Sequence, residues 1–316
     1  MASDREQASG AAVQPGFAAS DLATLLGLPF LLTLSWLLPE RWWPGFARAV
    51  APLAGPMVAG DPAALPAIIA RTIGERASRP ASPEAILSGL AAEQVLLQLQ
   101  LLRGYRPGGW RPEIGLVGRD HVEAARERGQ GAILWIAFMV HGDLAAKMAF
   151  HRAGFEVHHL SRPSHGFSAS RFGIRFLNPI HTRIEDRFLG ARVTLAPNDA
   201  RPALEALARH LRGNAVVSVT ARRDAKRPAA VPFLDGEIKL APGAVILARR
   251  TGAALLPTFA FREPSGALKV AIEAPLEVPQ EGPGSEAVEA VARRYAEVLA
   301  PYALAHAGQW KGWYQL

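Results

Sequence analysis

A histidine and a carboxylate two residues apart interrupt a long apolar run. Residues 131–150 read GAILWIAFMVHGDLAAKMAF, with His141 and Asp143 in the break and a helical pattern after it. A neutral imidazole within hydrogen-bond reach of a hydroxyl is an effective general base, and a carboxylate behind it stabilises the imidazolium that forms. Residues two apart on a helix lie on nearly opposite faces, so His141 and Asp143 can cooperate only from a non-helical turn. A structural reading competes: Asp143 at a helix start favours capping and the helix dipole, and Lys147 four residues on completes an exposed ion pair.

A second group of reactive side chains is cationic. Residues 160–192 hold Arg162, Arg171, Arg175, Arg183, Arg187 and Arg192 against Glu185 and Asp186, with no lysine. Planar guanidinium forks suit bidentate contacts to phosphate or carboxylate. Arg222 and Arg223 open a further basic stretch that ends at Arg227. The competing reading is a solvated basic face in which Arg183 and Arg187 pair with Glu185 and Asp186. His158 and His159 are adjacent in a strand pattern and so point to opposite faces, which argues against a metal site.

Composition narrows the setting of this chemistry. A formal charge of +7 and a pI near 10.2 favour anionic partners such as phospholipid headgroups or phosphorylated glycolipids. No nucleic-acid motif accompanies the charge, and no Gly-rich nucleotide loop is present. The chain contains no cysteine, which removes disulfides, thiolate catalysis and Cys-ligated zinc. At 316 residues and 49% hydrophobic content it can build a substantial core.

The elements that position these residues alternate in type from residue 111 onward. Strand patterns occur at 114–117, 132–139, 157–160, 191–195, 215–219, 254–261 and 268–272. Helical patterns fall at 121–128, capped by Asp120, from about 143, at 201–212 and at 241–251. Such alternation predicts an α/β fold with a largely parallel central sheet flanked by helices. Residues 1–20 are small and polar and read as a mobile tail. Residues 21–110 read as a helical extension that associates with a membrane, with a boundary near 110. Within it, residues 22–38 lack any charge, and their 17 residues meet the lower limit of roughly 17–25 for a spanning helix. Arg41, Trp42 and Trp43 follow as interfacial anchors, so residues 22–38 are expected to be seated in or on a membrane.

The run at 131–150 resembles the first block of the lipid A biosynthesis lauroyl/myristoyl acyltransferases, within the lysophospholipid acyltransferase superfamily. That block places a histidine four residues before an acid, and Asp143 falls on the acid. Further blocks are similar in order and spacing: His159-Leu160-Ser161-Arg162-Pro163, residues 231–236, 240–244 and 247–253, Leu256-Pro257 with Arg262, and Gln309-Trp310 with Trp313. The resemblance implies a glycerolipid acyltransferase-like fold and transfer of a fatty acyl chain from acyl carrier protein or coenzyme A to a hydroxyl of a membrane lipid or glycolipid. It implies general-base catalysis without a covalent intermediate, no cofactor, and a place at the cytoplasmic face of a bacterial inner membrane. Arg162 corresponds to an arginine that positions substrate.

The departures from the family pattern fall at its reactive centre. Phe138 stands where the histidine belongs, and Thr220-Ala221 replaces an Asp-Gln pair. Three readings follow. His141 serves as base with Asp143; another histidine, His165 or His181, is recruited; or the protein is catalytically silent and binds lipid or acyl donor with Phe138 lining an acyl pocket. Arg162, Phe138, Arg171, Arg175, Arg222 and Arg223 are the expected substrate contacts.

Overall fold

The computed structural model describes residues 15–54, 64–74, 81–196 and 199–316. Its centre is set by residues 132–136, AILWI, apolar at every position and buried at every position. A strand apolar on both faces must be covered on both faces, which places it inside a parallel sheet. The sheet has the order β1 (Ile114–Val117), β9 (Leu268–Ile272), β8 (Ala254–Arg262), β2 (Ala132–Ile136), β5 (Val216–Thr220), β3 (Val157–Ser161) and β4 (Ala191–Thr194). β8, β2, β5, β3 and β4 run parallel. β9 is antiparallel to β8, and β1 is parallel to β9. The reversal follows from the short β8–β9 turn, closed by Gly266 N–H on Glu263 O at 2.9 Å, which leaves no room for a crossover. The largely parallel α/β sheet expected from the strand and helix alternation is therefore present.

Helix positions follow the sequence closely, with physical reasons for the differences. Asp120 lies in the first turn of α5 (Arg119–Glu127) and left-handed Gly118 takes the cap position. β2 stops at Ile136, three residues before the expected strand end, because a 3-10 turn over Val140–Gly142 carries the chain to α6 (Ala145–Arg152). α8 (Arg201–Arg212) and α9 (Gly243–Thr251) match expectation to within two residues. The sequence reading lacked α7 (Asn178–Asp186), the hairpin of β6 (Ala229–Phe233) with β7 (Gly236–Leu240), and α10 (Gly284–Ala305).

Residues 1–14 of the expected tail, and residues 55–63 and 75–80, lie outside the described residues. Where the chain is first described it is already held, with the carbonyls of Pro15 and Gly16 accepting from the backbone N–H groups of Arg171 and Phe172 at 2.9 and 3.0 Å. Four helices follow: α1 (Ala19–Leu37), α2 (Trp43–Ala54), α3 (Leu65–Ile73) and α4 (Pro83–Arg103). Ile69, Ile73 and Ile86 pack in one core with Ile133, Trp135 and Leu255, so residues on both sides of position 110 share their packing.

α1 and α4 are both long and apolar enough to cross a membrane, but their surroundings differ. α4 is mostly buried and serves as a core helix. α1 is tied to the domain at both ends. The buried Asp21 accepts from Ser170 Oγ at 2.6 Å, and Arg103 Nη1 donates to the carbonyls of Ser35 and Trp36 at 2.6 and 2.8 Å. Its outer face leaves Leu22, Leu25, Leu26, Phe30 and Leu37 exposed.

Gly131, which leads into β2, has φ +73°, and a Cβ there would lie 2.6 Å from the Ala215 carbonyl oxygen. Gly131→Ala is expected to cost about 2 kcal/mol or more, through left-handed strain and a backbone clash. Chemical denaturation of the variant beside the wild type measures it.

Candidate active site

Three parallel strands deliver the site from their carboxyl ends, where open α/β sheets form their ligand crevices. β2 leads to Phe138, β3 to Arg162, and β5 to Arg222. The Ala221 N–H donates to the Ile136 carbonyl at 2.8 Å, which keeps the β2 and β5 exits side by side. Arg222 lies over the Phe138 ring with its guanidinium carbon 4.3 Å from the centroid, and Lys311 Nζ lies 4.5 Å from the same centroid. Lys311 also donates through its backbone N–H to the Phe138 carbonyl at 2.8 Å. Arg162 and Arg222 converge on Asp224, at 3.5 and 2.8 Å.

Asp143 is paired with Lys311, whose Nζ is 3.1 Å from Oδ2. The expected pair of Asp143 with Lys147 does not form; Lys147 is buried and turns to Glu185. Burial by itself would raise the Asp143 carboxyl. Lys311, then His165, then Lys147 outweigh burial and hold it well below the usual carboxylate range. Asp143 is therefore ionised and paired with an ammonium.

Beside this group, the fully buried carboxylate of Glu185 on α7 gathers ligands from four segments. Lys147 Nζ of α6 lies 2.8 Å from it, and Arg192 Nη2 of β4 lies 2.7 Å away. His165 and His181 each place Nε2 at 3.0 Å. Burial would raise the Glu185 carboxyl, but Lys147, His165 and His181 hold it well below the usual range. An ionised carboxylate only accepts hydrogen bonds, so each imidazole presents Nε2–H to it. The Arg183 and Arg187 partnerships expected for Glu185 and Asp186 are replaced by Arg192, which also donates to Asp186 at 2.7 Å. Arg187 donates instead to the Gly104 carbonyl at 2.9 Å. His165, His181 and Glu185 have ligand atoms within 4.8 Å of one another, a spacing a metal ion could use. Any such ion would stand against Lys147 and Arg192 on the same carboxylate.

His141 has a different partner from the one its spacing suggests. It is fully buried, and Nε2 lies 2.8 Å from Glu93 Oε2 on α4. Arg262 Nε donates to the same oxygen at 3.0 Å, and Arg262 Nη2 donates to Oε1. Burial would raise Glu93, and the hydrogen bonds from His141 and Arg262 bring it down to about 2. Among the described residues no hydrogen bond joins His141 to Asp143. His141 Nδ1 is buried without a partner, so this imidazole is sealed from substrate on both sides.

The remaining expected contacts divide. Arg222 lies on the Phe138 ring, and Arg162 meets Arg222 at Asp224. Arg223 is exposed and tied to Gln315, its backbone N–H donating to Oε1 at 3.1 Å. Arg171 and Arg175 are exposed, Arg175 stacking on Phe176 with 5.6 Å to the ring centroid. Sequence reasoning missed Lys311, although it lies inside the Gln-Trp-x-x-Trp block. It also missed Glu93, a single acid in an otherwise apolar stretch of helix, which is a signal of a buried partner.

An open, mostly parallel sheet with an acid and clustered cations beyond its strand ends defines an α/β protein with a cationic crevice at its strand exits. The chain belongs to the bacterial lipid A biosynthesis acyltransferase family, which it matches over residues 21–314. It is also similar to the phosphatidylinositol mannoside acyltransferase of two Mycobacterium tuberculosis strains, with 31% identity over 150 residues in each case. Those alignments cover 47% of this chain and 44% of each relative, so the chain spans less than half the length of the curated relatives it matches.

Two outcomes follow from these carboxylates. Glu93, Asp143 and Glu185 all titrate lower in the folded chain than unfolded, so their contribution is complete above about pH 4.5 and is lost as pH falls below it. Thermal melts should decline steeply between about pH 4.5 and 3. Glu185→Gln leaves the buried Lys147 without its counter-charge and Arg192 with Asp186 alone, and is expected to cost about 3–5 kcal/mol at neutral pH, read by denaturant unfolding.

Proposed function

We propose that this protein transfers a fatty acyl chain from an acyl thioester, carried by acyl carrier protein or coenzyme A, to a hydroxyl of a membrane glycolipid. The observation that carries this reading is the group of cations at the strand exits: Arg222 and Lys311 on the Phe138 ring, Lys311 on Asp143, and Arg162 meeting Arg222 at Asp224. The phosphates of the donor and the acceptor headgroup are both anionic, and guanidinium forks with an ammonium suit them. The relatives' name supports a mannosylated phosphatidylinositol as acceptor class. The hydroxyl attacks the thioester carbonyl directly, and the chain has no cysteine with which to form an acyl-thioester intermediate.

The reaction surface is a membrane. α1 turns Leu26 and Phe30 outward, at 73% and 61% exposure, while both of its ends are bonded to the domain. A helix fixed lengthwise against a domain is suited to lie in the interface rather than cross it. Arg41 and Trp42 continue this face at headgroup depth. We place this surface at the cytoplasmic face of a bacterial inner membrane, where acyl thioesters are supplied.

One observation favours a second reading. Phe138 fills the position of the family's histidine, which suits a chain that binds donor or lipid without turnover.

Acyl transfer from palmitoyl-coenzyme A to phosphatidylinositol mannoside in vesicles tests the main reading. Activity is expected in the wild type. Arg162→Ala should raise KM for the donor about tenfold or more, and Asp143→Asn should lower kcat about 10²-fold. Absence of turnover with both palmitoyl-coenzyme A and palmitoyl-acyl carrier protein would favour the silent reading. Leu26→Ser with Phe30→Ser is expected to reduce co-sedimentation with phosphatidylglycerol vesicles at least fivefold.

A further inference from the structure

Phe138 removes the imidazole from the family's position, His141 is sealed inside the core, and a hydroxyl acceptor still has a proton to lose. The site contains one imidazole that meets the requirements of a base. His165 lies on the turn immediately after β3, its N–H donating to the Arg162 carbonyl at 3.0 Å, so it shares that turn with a substrate-contacting arginine. Its side chain is 18% exposed, against 5% for His181 and 0% for His141.

The tautomer is fixed by chemistry. Glu185 is ionised and can only accept, so His165 Nε2 carries the hydrogen and holds the ring at 3.0 Å from both carboxylate oxygens. In the neutral ring Nδ1 then holds the lone pair. His141 and His181 have the same Nε2–carboxylate arrangement, but in both the Nδ1 atom is buried with no partner. Among the described residues His165 Nδ1 makes no hydrogen bond, and it is not buried as those two atoms are. In its imidazolium form His165 acts on the Asp143 carboxylate, so the two groups belong to one charge cluster. An imidazole oriented by a buried carboxylate on one nitrogen and open on the other is the base and orienter pair of acyl-transfer sites.

We propose that His165 is the general base of this protein, oriented by Glu185, and that it replaces the imidazole lost at Phe138. This rests on the acyl-transfer reading above. The acceptor hydroxyl gives its proton to His165 Nδ1 as its oxygen bonds to the thioester carbonyl carbon, and the carbonyl electrons move to oxygen. The imidazolium forms next to the Glu185 and Asp143 carboxylates, both of which stabilise it. Collapse of the tetrahedral intermediate breaks the carbon–sulfur bond, and the leaving thiolate takes the proton back from Nδ1. No metal or other co-reactant is needed.

The test uses the full chain with palmitoyl-coenzyme A and phosphatidylinositol mannoside vesicles, following free thiol release. The protein contributes no thiol of its own. His165→Gln keeps a donor toward Glu185 but cannot accept a proton, and kcat is expected to fall about 10²–10⁴-fold. His165→Gly should recover at least tenfold when imidazole is added, which a purely structural role would not give. Wild-type activity within threefold in His165→Gln overturns the proposal and leaves the acyl-transfer reading standing. A wild type silent with both coenzyme A and acyl carrier protein donors overturns that reading and this one with it. If the variants do not fold, diethyl pyrocarbonate treatment of the wild type replaces them. Inactivation should track modification of His165, with protection by palmitoyl-coenzyme A; inactivation with His165 unmodified overturns the proposal.

Discussion

The structure around the site depends on one buried carboxylate. Glu185 is fully enclosed, and an isolated ion there would face a desolvation cost of several kcal/mol. Lys147, Arg192, His165 and His181 offset that cost together, each arriving from a different part of the chain. The same contacts fix the relative positions of α6, α7, β4 and the turn after β3. Arg192 extends the network by donating to Ser161 Oγ at 2.9 Å, at the exit of β3. The parallel sheet supplies a crevice, and this ionic node gives that crevice one geometry.

A second buried carboxylate does comparable work on the opposite side of the β2 exit. Glu93 accepts from His141 and Arg262, and so joins α4 to the turn after β2 and to the end of β8. His141 is consumed in this joint. The turn that carries Asp143 is thereby pinned at His141 by α4 and at Asp143 by Lys311. The histidine nearest to Asp143 in sequence holds the site together, while a histidine from another turn is left open to solvent.

Much of this was legible in the sequence. The apolar run at 132–136 announces a central strand, and the strand and helix alternation gives the sheet. The block order gives the family, and the arginines singled out at 162 and 222 do meet at Asp224. What was not legible are pairings set by distant partners. Asp143 and Lys311 are 168 residues apart, and Glu93 and Arg262 are 169 apart. Helix spacing assigned Asp143 to Lys147, and nearness in the chain suggested His141 for Asp143 from a non-helical turn, because only local partners are visible before tertiary contacts are known. The fold overrode both, since a buried Lys147 needs a counter-charge and Glu185 was the one within reach. α10 went unnoticed because its apolar face is largely alanine and valine, a weak periodic signal.

The closing segment of the site has a consequence in time as well as in space. Met139 is bridged to Trp310, Lys311 grips Phe138 and Asp143, and Gln309 brackets the Arg262 backbone with bonds of 2.8 Å to its N–H and carbonyl. All of these contacts come from residues 309–311, which leave the ribosome long after β2, β3 and β5. A nascent chain can assemble its sheet and its Glu185 node while Asp143 is still without its ammonium partner. The charge pattern of the crevice is therefore completed last, when Lys311 reaches Asp143.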